Sequence, residues 1–367
     1  MTTIAQVATG LESATATLHL HGSDAEPKRS IGAPGPDYKY AKFLPSWDPG
    51  YKLAPLVPFK HVDPGHAALN DPNPRSFLDS AHVNDLTPKF GTEVSGIQLH
   101  ELDEHAKAQL ALYVAQRGVV VFRDQDFVDQ PPEWQLRSWG ETFGRLHIHP
   151  VSGQPKDIPE FHLVYKDAVP GSGFFNYKSD SITTTGFHSD VTYEEQPPGL
   201  TTLFLYETPT SGGDTLYVSQ VEAYNRLSDS FKAYLETLSV VHSGVEQANF
   251  SRRGGRGGVV KREPVENVHP LVRRHPVTGQ KALFVNKQFS RKIVGLKDEE
   301  SEALLNFLYT HVAQGHDFQV RAQWKPRTVV LWDNRVTAHS ATGDYNAATD
   351  GFRHGARITP QAEKPFL

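Results

Sequence analysis

Thr328–Tyr345 reads TVVLWDNRVTAHSATGDY. Its first half is a short β-branched and aromatic run, the composition of a buried strand. The run breaks at Asp333-Asn334, and His339 is predicted where such a strand would end. Comparable runs occur at 119–125 (VVVFRDQ), 200–207 (LTTLFLYE), 214–219 (DTLYVS) and 281–286 (KALFVN). The segment 83–99 reads as two shorter strands, and HPVTGQKALFV at 275–285 as a hairpin about Thr278-Gly279. With 29 glycines and 26 prolines in 367 residues, many short strands joined by turns are favoured over a helical bundle. Helices are predicted at 103–118, ended by Gly118, and at 131–144, 220–238 and 298–314. The expected fold class is mainly β with peripheral helices, a sandwich or barrel core.

Residues 1–80 read differently. GAPGPDYKYAKFLPSWDPGYKLAPLVPF (32–59) and DPGHAALNDPNPRSF (63–77) are dense in proline, which fixes φ and removes a backbone donor. Their aromatics predict an arm packed on the domain surface. The first dozen residues are predicted to be disordered. The expected organisation is an irregular N-terminal arm, 1–80, followed by one domain, 81–367. SRRGGRGGVVKRE at 251–263 reads as a Gly/Arg loop.

Composition narrows the chemistry. The chain has no cysteine, which removes disulfides, thiolate nucleophiles and thiolate metal sites together. The net charge of −5 shows no long single-sign run, so neither nucleic acid nor a membrane surface is an expected partner. The N-terminus lacks a basic region followed by an apolar stretch, and no window approaches the ~20 apolar residues that span a bilayer. A soluble, cytoplasmic protein is expected.

GFHSDVTY places His188 and Asp190 two residues apart. On a strand, residues i and i+2 face the same way, so an imidazole and a carboxylate can reach one ion. His339 supplies a candidate third ligand. Two histidines and one carboxylate leave open positions, an arrangement suited to iron(II) that also holds a cosubstrate and oxygen. In a chain with 18 histidines the pair alone is weak, and HIHPV at 147–151 offers an equal spacing.

The neighbouring motifs carry more weight. GRLHIHPV, FHSDVTYEEQPP, PTSGGDTLYVS, HPLVRRHPVTGQKALFVN, FSRKIVGL, ESEALLNFLYTHV, WDNRVTAHSATGDY and FRHGARIT resemble, in order, the TauD/TfdA family of 2-oxoglutarate-dependent dioxygenases, and within it the taurine dioxygenases. The resemblance runs from about residue 84 to 360, and the first 80 residues look like a fungal-type extension. It implies a double-stranded β-helix, or jelly roll, with iron held by His188, Asp190 and His339 in its mouth. It places Thr215 and Arg353 on the distal carboxylate of 2-oxoglutarate. A planar guanidinium suits that task, since it binds a carboxylate bidentately and stays charged.

Substrate contacts carry over less completely. Arg357 and His149 match residues that touch a sulfonate, and Phe289 matches an aromatic that packs on the substrate's carbon chain. Ser152 stands where taurine enzymes have a tyrosine, and Thr184 where they have an asparagine. Phe250 is a candidate lid aromatic. The expected activity is hydroxylation of a small anionic substrate by Fe(II), 2-oxoglutarate and O2, yielding succinate and CO2. Taurine or a related alkyl sulfonate, with sulfite release, comes first; an amino acid, another small carboxylate or a sulfate ester comes second. The complete set of metal and carboxylate-binding residues argues against a jelly-roll binding module, and no general base is placed for a zinc hydrolase. The resemblance also implies a homo-oligomer, a dimer or tetramer.

Overall fold

The computed structural model describes residues 32–169, 186–255 and 257–367. The predicted disordered N-terminal dozen and Thr184 lie outside the described residues. Among the described residues the strands build a seven-stranded sheet in the spatial order His82–Asp85, Thr92–Ser95, Val119–Phe122, Val329–Asp333, Leu200–Glu207, Arg353–Ile358 and His162–Lys166. Thr92–Ser95 and Val119–Phe122 run parallel, and the other neighbours are antiparallel. A smaller antiparallel sheet joins Gln319–Ala322, Thr215–Ser219 and Thr337–Ala341.

Strand alternation sorts the side chains into layers. Val119, Val121, Leu203, Leu205, Val330 and Trp332 point towards the smaller sheet and pack with its Tyr217, Val320 and Ala322. Val120, Phe122, Phe204, Tyr206, Val329 and Leu331 point the other way, against Leu110, Tyr113 and Val114 of the helix Glu104–Arg117. Burial on both faces explains why these strands read as unbroken apolar runs. The outer side of the smaller sheet, with Leu216, Val218 and Ala338, is covered by Leu305, Leu308 and Val312 of the helix Asp298–Ala313.

The same parity positions the site. On Arg353–Ile358, Ala356 and Ile358 join the helix-side core, so Arg353, Gly355 and Arg357 face the smaller sheet. There Val218 and Ala338 point outwards, which leaves Thr215, Tyr217 and His339 facing back towards the arginines. The two sheets thus bring residues far apart in sequence to one interior.

The arm packs on this frame. Phe43 and Phe77 are buried in the helix-side core, and Phe43 stacks on Tyr206 with ring centroids 4.9 Å apart. Two predicted helices differ from expectation. Residues 131–144 contain a π turn over Trp134–Trp139 and a 3-10 turn over Gly140–Phe143. Trp139 is fully buried there, its indole donating to Thr202 Oγ1 at 3.0 Å. The stretch 220–238 forms two short helices, Gln220–Asn225 and Asp229–Leu235, because Leu227 turns into the core and Ser228 is extended (ψ 152°). Among the described residues no helix is long and apolar enough to cross a membrane.

Candidate metal centre and anion pocket

His188 and His339 are joined by an isolated antiparallel bridge, with His188 N donating to His339 O at 3.0 Å and His339 N to His188 O at 2.8 Å. His339 therefore sits within the strand Thr337–Ala341, one turn beyond the run that ends at Asp333, and not at the end of that run. Asp190 also departs from expectation. It is not a strand residue: the chain turns at 190–193, where Val191 takes a φ of 38° and Glu194 N donates to Val191 O. The turn, and not strand alternation, brings the carboxylate back beside the imidazoles. One donor atom from each of His188, Asp190 and His339 lies within 4.8 Å of the others. Both His188 Nε2 and His339 Nε2 are 3.8 Å from Asp190 Oδ1.

Protonation favours a metal ligand set. Burial drives the His339 imidazole down to about 3, overriding the raising effect of Asp190, so the ring is neutral at physiological pH. Burial pushes the Asp190 carboxyl up, but Arg357 and the two histidines outweigh it and hold the group below its ordinary range. His188 Nδ1 lies 3.1 Å from the Gly186 carbonyl, which can only accept. Gln288 Nε2, which can only donate, lies 3.0 Å from the same nitrogen, so the two neighbours favour opposite tautomers. Asp190 Oδ2 is buried without a hydrogen-bond partner among the described residues. A buried carboxylate 3.8 Å from two imidazoles, with one of its oxygens still lacking a partner among the described residues, fits a divalent iron ion.

Other residues hold the ligands in place. Asn334 Oδ1 accepts from Asp190 N at 2.7 Å, and its Nδ2 donates to Asp190 O at 3.2 Å and Pro198 O at 3.3 Å. Ser189 Oγ donates to Thr337 O at 2.7 Å, tying the turn to the His339 strand. The Gln288 amide sits 3.0 Å from His188 Nδ1. Such outer contacts orient metal ligands. Sequence reading missed Asn334 and Gln288, because each meets its partner only across the fold.

A cavity of about 390 Å³ connects two of the triad, His188 and Asp190, to Arg353 and Arg357, and these four residues line it. Arg353 is buried, its Nε has no hydrogen-bond partner, and no carboxylate forms an ion pair with it among the described residues. Its guanidinium lies 5.6 Å from the Trp324 ring, whose Nε1 donates to Thr215 Oγ1 at 3.1 Å. The indole can only donate, so Thr215 accepts there and keeps its own proton to give. Thr215 does not line the cavity; Trp324 links it to Arg353. Arg357 Nη1 pairs with Asp190 Oδ1 at 2.8 Å.

Gly355 stands between the arginines because nothing larger fits. A Cβ there would lie 2.2 Å from Leu205 Cδ2 and 2.5 Å from Phe204 O. Gly355→Ala is expected to destabilise the protein by about 1–3 kcal/mol through overpacking, measured by chemical denaturation.

Over residues 82–359 the chain matches the family described as "Taurine catabolism dioxygenase TauD, TfdA family". The chain belongs to the TauD/TfdA family. It is 47% identical over 332 residues to the "Alpha-ketoglutarate-dependent sulfonate dioxygenase" of Saccharomyces cerevisiae, covering 89% of this chain and 79% of that protein. It is 42% identical over 343 residues to the "Alpha-ketoglutarate-dependent dioxygenase cnsM" of Penicillium expansum, covering 92% of each. A crystal structure of a taurine dioxygenase from Burkholderia xenovorans superimposes with a TM-score of 0.62 at 30% identity, covering 78% of this chain and 91% of that one.

As a TauD/TfdA dioxygenase, the chain places its remaining candidate residues unevenly. His149 and Phe289 line the cavity, and the Phe289 ring lies 6.3 Å from His188 and 5.0 Å from Tyr193. Ser152 is outside the cavity wall and reaches it through His162, with Ser152 Oγ and His162 Nε2 3.0 Å apart. From the 245–263 segment Gln247, not Phe250, reaches the wall. His162 lines the cavity and was not anticipated from sequence.

Proposed function

We propose that this enzyme is an Fe(II)- and 2-oxoglutarate-dependent dioxygenase that hydroxylates an alkyl sulfonate at the carbon bearing sulfur. The resulting hydroxysulfonate loses sulfite and leaves an aldehyde. Bound together, iron(II), 2-oxoglutarate and O2 supply the oxidising equivalent, with succinate and CO2 as coproducts. We read the two facing sheets as the halves of a double-stranded β-helix with the site in its mouth.

The observation that carries this reading is a pair of buried arginines, Arg353 and Arg357, on one strand and lining one cavity with His188 and Asp190 of the His188–Asp190–His339 cluster. Two anions are accommodated, a dicarboxylate cosubstrate and an anionic substrate. Arg353, assisted by Thr215, anchors the distal carboxylate of 2-oxoglutarate. Arg357 and His149 take the sulfonate, and Phe289 packs on its carbon chain. Ser152 and Thr184, where taurine enzymes carry a tyrosine and an asparagine, are the departures in sequence from a taurine-specific site. The sulfonate assignment follows the name of the yeast relative, which covers most of both chains.

The test is a panel of taurine, longer alkyl sulfonates, alkyl sulfate esters and amino acids, read as succinate and sulfite. Sulfonates should stimulate succinate formation, with sulfite released in equal amount. Stimulation by amino acids and none by sulfonates would overturn the substrate assignment. Arg353→Gln should raise the KM for 2-oxoglutarate about a hundredfold, the loss of one charge-assisted carboxylate pair. Initial rates against 2-oxoglutarate concentration measure it.

A further inference from the structure

We propose that His162 is a positioning residue that determines substrate specificity by fixing the direction of the Arg357 guanidinium. This rests on reading Arg357 as the anchor for the substrate's anionic end.

His162 lies on the edge strand of the large sheet, directly opposite Arg357 in register. Arg357 Nη2 is hydrogen-bonded to His162 Nδ1. A guanidinium only donates, so Nδ1 must offer its lone pair. The proton then sits on Nε2, which donates to Ser152 Oγ at 3.0 Å. The network leaves one tautomer. Arg357 is thus held at two points, by the Asp190 carboxylate at 2.8 Å and by a neutral ring. Its third nitrogen, Nε, is buried and has no hydrogen-bond partner among the described residues.

The chemistry of the second point matters. A carboxylate there would neutralise Arg357 in a closed ion pair. An imidazole acceptor orients the fork while adding no negative charge. The Asp190 charge is shared with the metal site, so Arg357 keeps positive potential for a substrate anion. His162 is itself braced. Its ring lies 4.2 Å from that of His149, and the Ser152 carbonyl accepts from Lys261 Nζ at 2.8 Å. The Lys261 carbonyl in turn accepts from Leu53 N at 2.7 Å, which ties the arm to this wall. The contact with His149 means that both candidate sulfonate contacts depend on where His162 stands.

The test compares His162→Leu, which removes the acceptor, with His162→Asn, whose amide oxygen can stand near the Nδ1 position. Both are made in the full-length enzyme loaded with Fe(II). His162→Leu should raise the KM for the preferred anionic substrate about tenfold or more, the worth of one hydrogen bond to a charged group. The KM for 2-oxoglutarate should stay within about twofold, because Arg353 is untouched. His162→Asn should recover most of the substrate KM. Ser152→Ala, which removes the Nε2 partner, is a milder second probe and should move the substrate KM in the same direction. An unchanged substrate KM in His162→Leu, an equal rise in both KM values, or no recovery with asparagine would overturn the role. If the unsubstituted enzyme prefers a carboxylate or sulfate ester, the sulfonate assignment fails. The split between the two KM values is then read with that anion, so the two failures are distinguishable.

Discussion

Asp190→Asn is expected to lower 2-oxoglutarate turnover by about a thousandfold or more and to abolish tight iron binding. Asparagine keeps the shape and removes the charge. The Asp190 carboxylate is the acidic member of the cluster formed with His188 and His339, its Oδ1 lying 3.8 Å from both imidazole nitrogens. Without it, two neutral imidazoles remain, a donor set with no charge to balance a divalent cation in a buried site. A thousandfold loss corresponds to about 4 kcal/mol of transition-state stabilisation. Iron affinity by calorimetry and succinate formation should fall together. The fold should survive, because the Asp190 backbone stays clamped by Asn334 and Arg357 keeps its bond to His162. Thermal unfolding checks that point. Retained iron binding in the variant would remove Asp190 from the ligand set.

The largest stability effect is expected at Arg335, outside the cavity. Its side chain is 2% exposed and meets three carboxylates. Nη1 lies 2.6 Å from Asp63 Oδ2 and 3.3 Å from Glu363 Oε2, and Nη2 lies 2.6 Å from Asp333 Oδ2. Glu363 also meets Arg273 at 2.6 Å, and Asp333 meets His275 at 2.9 Å. The cluster ties the arm, the turn before the His339 strand and the C-terminal segment together. Arg335→Met would leave buried carboxylates uncompensated and should cost about 3–5 kcal/mol, read by chemical denaturation. The pH dependence follows. Burial pushes the Asp333 carboxyl up, but Arg335 and His275 outweigh it and hold the group well below its ordinary value. A depressed folded pKa gives stability that is full above the unfolded value of about 3.9 and is lost as pH falls below it. The native protein should therefore lose stability steeply in acid, and Arg335→Met should flatten that slope.

The central strands were legible because both of their faces are apolar. VVVF, LTTLFLYE and TVVLWD carry β-branched and aromatic residues without interruption, and that composition survives any change of partner. The strand His162–Lys166 was not legible. Its inward positions include His162 and Lys166, which face the cavity, so the run shows no apolar pattern. The metal residues were legible through the motifs around them, yet the local geometry was not. The spacing of His188 and Asp190 suggested one strand face, whereas a turn at Val191 delivers the carboxylate. Asn334 and His162 were invisible for a different reason. Their partners lie 144 and 195 residues away, and only the stacking of two sheets brings them together.

The most direct measurement is succinate formation by chelator-stripped protein, with substrate and O2 present, before and after one equivalent of Fe(II). Stripped enzyme should form no succinate above background, Fe(II) should restore turnover, and stripped or reloaded Asp190→Asn should stay inactive. Turnover in the stripped enzyme, or full activity of reloaded Asp190→Asn, would contradict an iron site built from His188, Asp190 and His339.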